Sequence, residues 1–286
     1  MTALLSLDRL TRRFGGVTAV ESVSMNVEAD EIRGLIGPNG AGKTTTLDLI
    51  SGLTAPTSGR MMLVEQDVTG EPAHRLAERG IRRTFQNLKL FTELTVLQNV
   101  MIGLHAKGKC GVFEAILATG KQRREEEMMH RDSLKALETV GLVDQADRPA
   151  SALAYGHRRL LEIARAIVAR PTLLLLDEPA AGLNPAEAEA LVALIRRINA
   201  QGVTMVLVEH HMDVIMAACS RITVLNYGQK LAEGTPAEIR ANESVIEAYL
   251  GRAGFEERIV AYAGDRAARG QLWRGRCVAR RVADDQ

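Results

Sequence analysis

A chain of 286 residues is long enough for one large domain or two small ones with a buried core, which excludes a small disulfide-stapled scaffold. Lys plus Arg number 36 against 35 Asp plus Glu, so the formal charge of +1 gives no global pull toward nucleic acid or an anionic membrane surface. Hydrophobic residues make up 46% and charged residues 25%, as in average soluble proteins, and the longest stretch free of Asp, Glu, Lys and Arg, Leu94 to Ala106, is shorter than the about 17 to 25 residues a spanning helix needs.

The first residues, MTALLSLDRLTRRF, place their basic groups after the apolar ones and offer no cleavage site, so no signal peptide is expected. A short apolar segment between Glu31 and Ile36 leads into Gly37-Pro38-Asn39-Gly40-Ala41-Gly42-Lys43-Thr44-Thr45. Leu47, Leu49 and Ile50 then continue as a helix that stops near Gly52, which reads as strand, glycine loop, helix. Residues 88 to 150 lack buried-strand signals and hold the polar run KQRREEEMMHRD, with Leu134, Leu137 and Val140 about one turn apart; they predict a mostly helical insertion with a solvated charged face. From His157 to Val168 one apolar stripe (Leu160, Ile163, Ala164, Ile167, Val168) predicts a second helix, limited by Pro171.

Leu173 to Leu176 is an apolar run without alternation, as expected of a strand buried on both faces of a parallel sheet, and Asp177 and Glu178 stand at its carboxyl end. Asn184-Pro185-Ala186-Glu187 supplies a cap, a proline at the first helical position and a glutamate at the third, before Leu191, Leu194, Ile195 and Ile198 at helical spacing. Val203 to Val208 is a further buried run that ends in Glu209, His210 and His211. Polar residues at the carboxyl ends of such strands mark the edge where open α/β sheets bind ligands. The three cysteines, Cys110, Cys219 and Cys277, form no C-x-x-C pair; they fit a reducing cytoplasm and read as structural. From Arg252 onward the last stretch carries eight Arg and no Lys against five acidic residues, with the only Trp, and reads as a poorly ordered extension. Contact with anionic lipid or nucleic acid through its arginines, or an annexed coding end, stay open as other readings.

Gly37 to Thr44 matches G-x-x-x-x-G-K-[ST], a pattern that arises by chance in about one chain per hundred of this size. Glycines let backbone N–H groups turn inward on phosphate oxygens, the following helix adds its positive dipole end, and Lys43 reaches the β and γ phosphates of a nucleoside triphosphate. Thr44 supplies a hydroxyl for Mg²⁺. A strand end next to that loop holds Asp177 against the metal shell, and Glu178 is placed to polarise an attacking water as general base. His210 would contact the γ-phosphate or orient Glu178; His211 is the competing candidate, and only the order of motifs favours His210. A glycine turn without a ligand would need neither the lysine nor the hydroxyls. A single glycine loop means one nucleotide-binding unit per chain.

Together these motifs resemble the ATP-binding subunits of ABC transporters, over roughly residues 4 to 251. The resemblance implies an ATPase whose α/β P-loop core carries an N-terminal antiparallel β portion and a helical subdomain at about 88 to 165, with a tail at 252–286 that has no counterpart. It implies that Phe14 stacks on adenine, against a core phenylalanine as the alternative, and that Gln86 in Thr84-Phe85-Gln86-Asn87 touches Mg²⁺ or the attacking water. Leu153-Ala154-Tyr155-Gly156-His157 stands at the signature position, which serves the ATP of a partner subunit. Ala154 there lacks the hydroxyl of the usual Ser, His157 replaces Gln, and Asn184 replaces the aspartate of the loop that follows Glu178. With Gly156 and a helix start retained, weaker or differently regulated closure is expected, not a dead site.

Within the family, Phe-Gln-Asn-Leu-Lys-Leu-Phe, Glu-Pro-Ala-Ala-Gly-Leu-Asn-Pro, Val-Glu-His-His-Met-Asp and the segment Val245 to Gly251 look like the branched-chain amino-acid uptake branch, which includes importers of urea and short amides. Implied partners are a second ATPase subunit, two membrane permeases and, indirectly, a solute-binding protein, at the cytoplasmic face of the membrane and without nucleic acid. A soluble ATP-switched assembly factor is the alternative from another class; such proteins carry tandem units or coiled-coil arms, which this chain lacks. A nucleic-acid-binding module that uses the Arg-rich tail is a third.

Overall fold

The computed structural model describes residues 3–86, 89–104 and 120–249. The chain divides into two units, Met1–Ile239 and Arg240–Gln286. Both sheets and the helices that flank them belong to the first; the second is described only to residue 249, helical over 243–249. The Arg-rich tail and the boundary at 251/252 lie outside the described residues.

Four strands form an antiparallel sheet in the order β2-β1-β4-β5: β1 (Ala3–Phe14), β2 (Val17–Glu28), β4 (Ser58–Leu63) and β5 (Gln66–Asp67). This is the antiparallel β portion the family resemblance implies. Leu5, Leu7 and Leu10 on β1 and Val20, Val23, Met25 and Val27 on β2 face the core. A register shift between Leu7 and Leu10, with Arg9 at φ 47°, keeps the buried set inward as the strand bends.

The second sheet runs β10-β9-β3-β8-β7-β6. Its members are β3 (Ile32–Ile36), β6 (Ile81–Arg83), β7 (Leu173–Asp177), β8 (Thr204–Val208), β9 (Arg221–Asn226) and β10 (Gln229–Gly234). Strands β3, β7 and β8 are buried at every residue and pair in parallel through β8, so their apolar runs lack alternation for the expected reason: both faces are covered. The strand order corrects one expectation from the sequence. The strand beside the glycine loop's β3 is β8, which leads to His210; β7, with Asp177 and Glu178, lies one position further out.

Helix α1 (Lys43–Ile50) follows the glycine loop, and the short α2 (Ala73–Glu78) precedes β6. The predicted helical insertion contains α3 (Val96–Ile102), which opens with a capping box between Thr95 and Gln98, and α4 (Gly120–Val140). Ala136, Leu137 and Val140 of α4 are buried, whereas Glu126, Glu127 and His130 of its charged run are exposed; residues 105–119 lie outside the described residues. Helix α5 (Tyr155–Ile167) begins two residues before the predicted start, and α6 (Pro185–Asn199) has the predicted cap, with Asn184 and Glu187 bonded reciprocally. Helix α7 is Met212–Ala218. Burial pushes the Cys219 thiol up to about 12, which makes it the inert structural cysteine expected; Cys110 and Cys277 lie outside the described residues. Among the described residues no helix is long and apolar enough to cross a membrane.

Candidate nucleotide site

The loop from β3 to α1 adopts backbone that only glycine tolerates. Gly37 has φ 154°, and a Cβ there would meet the Leu225 carbonyl oxygen at 2.2 Å. Gly42 has φ 97°, with the Ala19 carbonyl oxygen 2.5 Å from such a Cβ. Gly42 is also the N-cap of α1 and gives no side-chain cap, so the first N–H groups of the helix are left for an anion. Asn39, Gly40 and Thr44 are exposed at this end, Pro38 and Thr45 half-buried, and Ala41 buried.

Lys43 folds back over the loop: its Nζ donates to the carbonyls of Gly37 at 2.7 Å and Pro38 at 2.9 Å. Burial holds its pKa below the usual lysine range, while the negative charges of Glu178 and then Asp177 push it back up.

Asp177 is 2% exposed. Burial raises its pKa, and the neighbouring Arg83 opposes the rise. Arg83 Nη2 reaches Asp177 Oδ2 at 2.9 Å, while its Nη1 reaches Asp48 Oδ1 at 2.6 Å and Ser51 Oγ at 3.1 Å. This guanidinium ties β6, β7 and α1 together. Sequence reasoning missed it, because the second arginine of Ile81-Arg82-Arg83-Thr84 carries no local signal for partners 35 and 94 positions away.

Glu178 sits at φ 49°, a left-handed backbone for a side-chain-bearing residue, fixed by its N–H donating to Val208 O at 2.9 Å. Its Oε2 accepts from Gln86 Nε2 at 2.9 Å and lies 3.7 Å from His210 Nδ1. Of the two histidines, His210 lies beside Glu178 and 4.0 Å from Glu209 Oε2, whereas His211 Nδ1 meets Glu209 Oε2 at 3.2 Å. Glu209, wholly buried, also accepts from Ala180 N at 2.6 Å and so anchors the loop after Glu178.

Phe14 is 45% exposed, its ring covered by the Arg12 guanidinium at 4.4 Å from the centroid. The core alternative is overturned, and the ring is available at the surface. At the start of α5, Ala154 is an N-cap without a side-chain bond, Tyr155 and His157 are exposed, Gly156 is half-buried, and His157 Nδ1 lies 3.2 Å from Gln145 Nε2. Gln86, Glu178 and His210 are drawn together, and the segment 154–157 reaches them through Arg159, which bonds both Gln86 O and the Tyr155 hydroxyl, and through Tyr155 itself, which packs against Gly182.

A glycine loop with a buried lysine, two acidic groups at the end of the strand beyond β8 and a glutamine and histidine on the second carboxylate define a P-loop ATPase. Comparison with known proteins carries the assignment further. The ABC transporter family profile matches residues 20–181, and a profile described as branched-chain amino acid ATP-binding cassette transporter matches residues 229–254. The chain is 45% identical over 251 residues to the high-affinity branched-chain amino acid transport ATP-binding protein LivG of Escherichia coli K12, covering 87% of this chain and 98% of LivG. The crystal structure of the ADP conformation of MJ1267, an ATP-binding cassette of an ABC transporter, superposes with a TM-score of 0.77 at 30% identity over 88% of this chain and all of that one. The dimeric ATP-binding cassette MJ0796, in a post-hydrolysis state with ADP and Pi, does so at 0.68 and 25% identity over 81% and 98%. The chain belongs to the ABC transporter family, as an ATP-binding and ATP-hydrolysing transport subunit.

Proposed function

We propose that this subunit powers the uptake of branched-chain amino acids through two separate permease subunits, fed by a solute-binding protein, from the cytoplasmic face of the membrane. The 45% identity to LivG over 251 residues and the match at residues 229–254 support that solute class. The observation that carries the hydrolytic reading is the meeting of Gln86, Glu178 and His210 at the carboxyl ends of the sheet that carries the phosphate loop.

ATP enters with its phosphates on the N–H groups of Gly40 to Thr45 and its adenine on Phe14. Lys43 exchanges its bonds to the Gly37 and Pro38 carbonyls for β and γ oxygens, so loop closure is part of binding. Hard oxygen donors, the Thr44 hydroxyl, the Asp177 carboxylate and the Gln86 amide oxygen, fit Mg²⁺ and would hold it; Asp177 is too buried to remain a lone charge, and Arg83 on its Oδ2 keeps it aligned. When bound, the ion neutralises charge on the β and γ phosphates. Glu178 takes a proton from the water whose oxygen attacks the γ-phosphorus as the bond to ADP breaks. Gln86 and His210 hold its Oε2 in place, and His210 contacts the γ-phosphate.

A second ATPase subunit completes the site. The uncapped start of α5, with the Tyr155 and Gly156 N–H groups, serves the ATP of the partner, and because Ala154 brings no hydroxyl, backbone donors and helix dipole carry that contact. The test is to co-purify the chain with two permeases, reconstitute them in vesicles, and measure ATP hydrolysis with the binding protein loaded. Stimulation by leucine, isoleucine or valine supports the reading; stimulation by urea or a short amide alone, or no association with permeases, overturns it.

A further inference from the structure

We propose that Arg159 is a positioning residue for hydrolysis, which clamps the Phe85–Gln86 backbone to α5 so that Gln86 meets Glu178. This rests on the roles proposed above for Gln86 and Glu178. The backbone of this segment is held by no strand. Its last ladder bond is Thr84 N to Leu175 O at 2.9 Å, and beyond it the polar groups turn to side chains of α5. Phe85 N–H donates to Glu162 Oε1 at 3.1 Å, Arg159 Nη1 donates to Phe85 O at 3.0 Å, and Arg159 Nη2 donates to Gln86 O at 2.7 Å. The same Nη2 donates to the Tyr155 hydroxyl at 3.2 Å.

Both charges are deeply buried, Arg159 at 4% and Glu162 at 3% side-chain exposure, and they pair at 3.6 Å, with Arg165 a further 3.9 Å partner of Glu162. Replacing such a pair by apolar side chains commonly costs no stability, so its presence under a catalytic loop calls for another reason. A planar fork that spans two successive carbonyls and a hydroxyl fixes the segment in a way a single ammonium does not. Tyr155 extends the connection: its Cε1 would lie 3.0 Å from a Cβ on Gly182, so its ring packs against the loop after Glu178. The start of α5, which faces the partner's nucleotide, is thereby joined through Arg159 to the glutamine that holds the base.

The experiment is a double-mutant cycle on the full chain, with Mg-ATP hydrolysis, Mg-ATP affinity and melting temperature as readouts. Arg159→Lys keeps the charge opposite Glu162 and loses the fork. It should lower kcat about 10- to 100-fold, the scale of a small misplacement of a catalytic group, with KM within about twofold. In a Gln86→Ala background the same change should cost less than about twofold, because nothing is left to position. Arg159→Gln with Glu162→Gln, which removes both charges of the pair together, should show the same dependence on Gln86 and serves wherever the single change fails to fold. An equal loss in both backgrounds would mean a purely structural role and overturn the inference, as would an unchanged kcat for Arg159→Lys in the chain that keeps Gln86. Full kcat for Gln86→Ala alone would remove the role of Gln86 itself, and the inference would fall with that reading, through an arm that does not touch Arg159.

Discussion

Replacing Glu178 by Gln changes one property of the site and spares the rest. The amide is of the same shape, and its oxygen still accepts from Gln86 Nε2, now 2.9 Å from Glu178 Oε2. The left-handed backbone at φ 49° and the bond from Glu178 N to Val208 O, 2.9 Å, are unaffected by the side chain. What disappears is the proton acceptor, and the loss of a general base costs about 10² to 10⁴ in rate, or about 2.7 to 5.4 kcal/mol of barrier at 1.36 kcal/mol per decade. One negative charge near the phosphates also goes, so Mg-ATP affinity should hold or tighten. Hydrolysis blocked after binding should leave an ATP-bound dimer, as sandwiched nucleotide is not consumed. Single-turnover hydrolysis with radiolabelled ATP, equilibrium binding and sedimentation velocity read these three effects. Hydrolysis at the wild-type rate with intact binding would refute the assignment of the base and leave His210, 3.7 Å from the same oxygen, as the next candidate.

Gly42→Ala should cost about 1 to 3 kcal/mol of stability in urea unfolding and impair nucleotide binding, because the new Cβ meets the Ala19 carbonyl oxygen at 2.5 Å in a left-handed backbone. Ala154→Ser should raise stability by about 1 kcal/mol in the same assay, since the residue is already an N-cap with extended backbone (φ −59°, ψ 157°) and lacks only the hydroxyl. Glu162→Gln tests a pH effect. Burial raises the pKa of Glu162 above its ordinary value of 4.5, more than its bonds to Phe85 and the two arginines lower it. A raised carboxyl contributes stability that is full below 4.5 and is lost as pH climbs through the folded-state pKa. The melting temperature of Glu162→Gln relative to wild type should therefore rise between acid and neutral pH; a constant difference would contradict the cause given.

The candidate residues Lys43, Asp177 and His210 were legible because each sits beside a local signal, whereas Gln86 and Phe14 entered only through the family resemblance. The glycine loop fixes Lys43 by spacing, the leucine run Leu173 to Leu176 ends at Asp177, and the run to Val208 ends near His210. The helix cap at Asn184 was legible for the same reason, both halves of the box lying within four residues. Long-range partners were not. Arg83 and Arg159 do their work across gaps of 94 and 73 residues, through contacts that a periodic pattern cannot encode. The insertion of β8 between β3 and β7 was equally invisible, because three buried strands of five residues look alike until the sheet orders them. Phe14 illustrates the limit of residue type: an aromatic at a strand end leaves stacking and core readings open, and only its 45% exposure under Arg12 places it at the surface.

The central claim is that the loop from Gly37 to Thr44 binds ATP through Lys43. Lys43→Ala removes two bonds now made to carbonyls at 2.7 and 2.9 Å and, on this account, made to phosphate oxygens in the complex. At about 1.5 to 3 kcal/mol for each charge-assisted hydrogen bond, Mg-ATP affinity should fall by at least about 10²-fold, with the fold retained by circular dichroism. Equilibrium titration of wild type and variant with Mg-ATP measures this directly. Saturable binding by the wild type that is lost in the variant is the predicted result, and near-normal affinity in Lys43→Ala would contradict it.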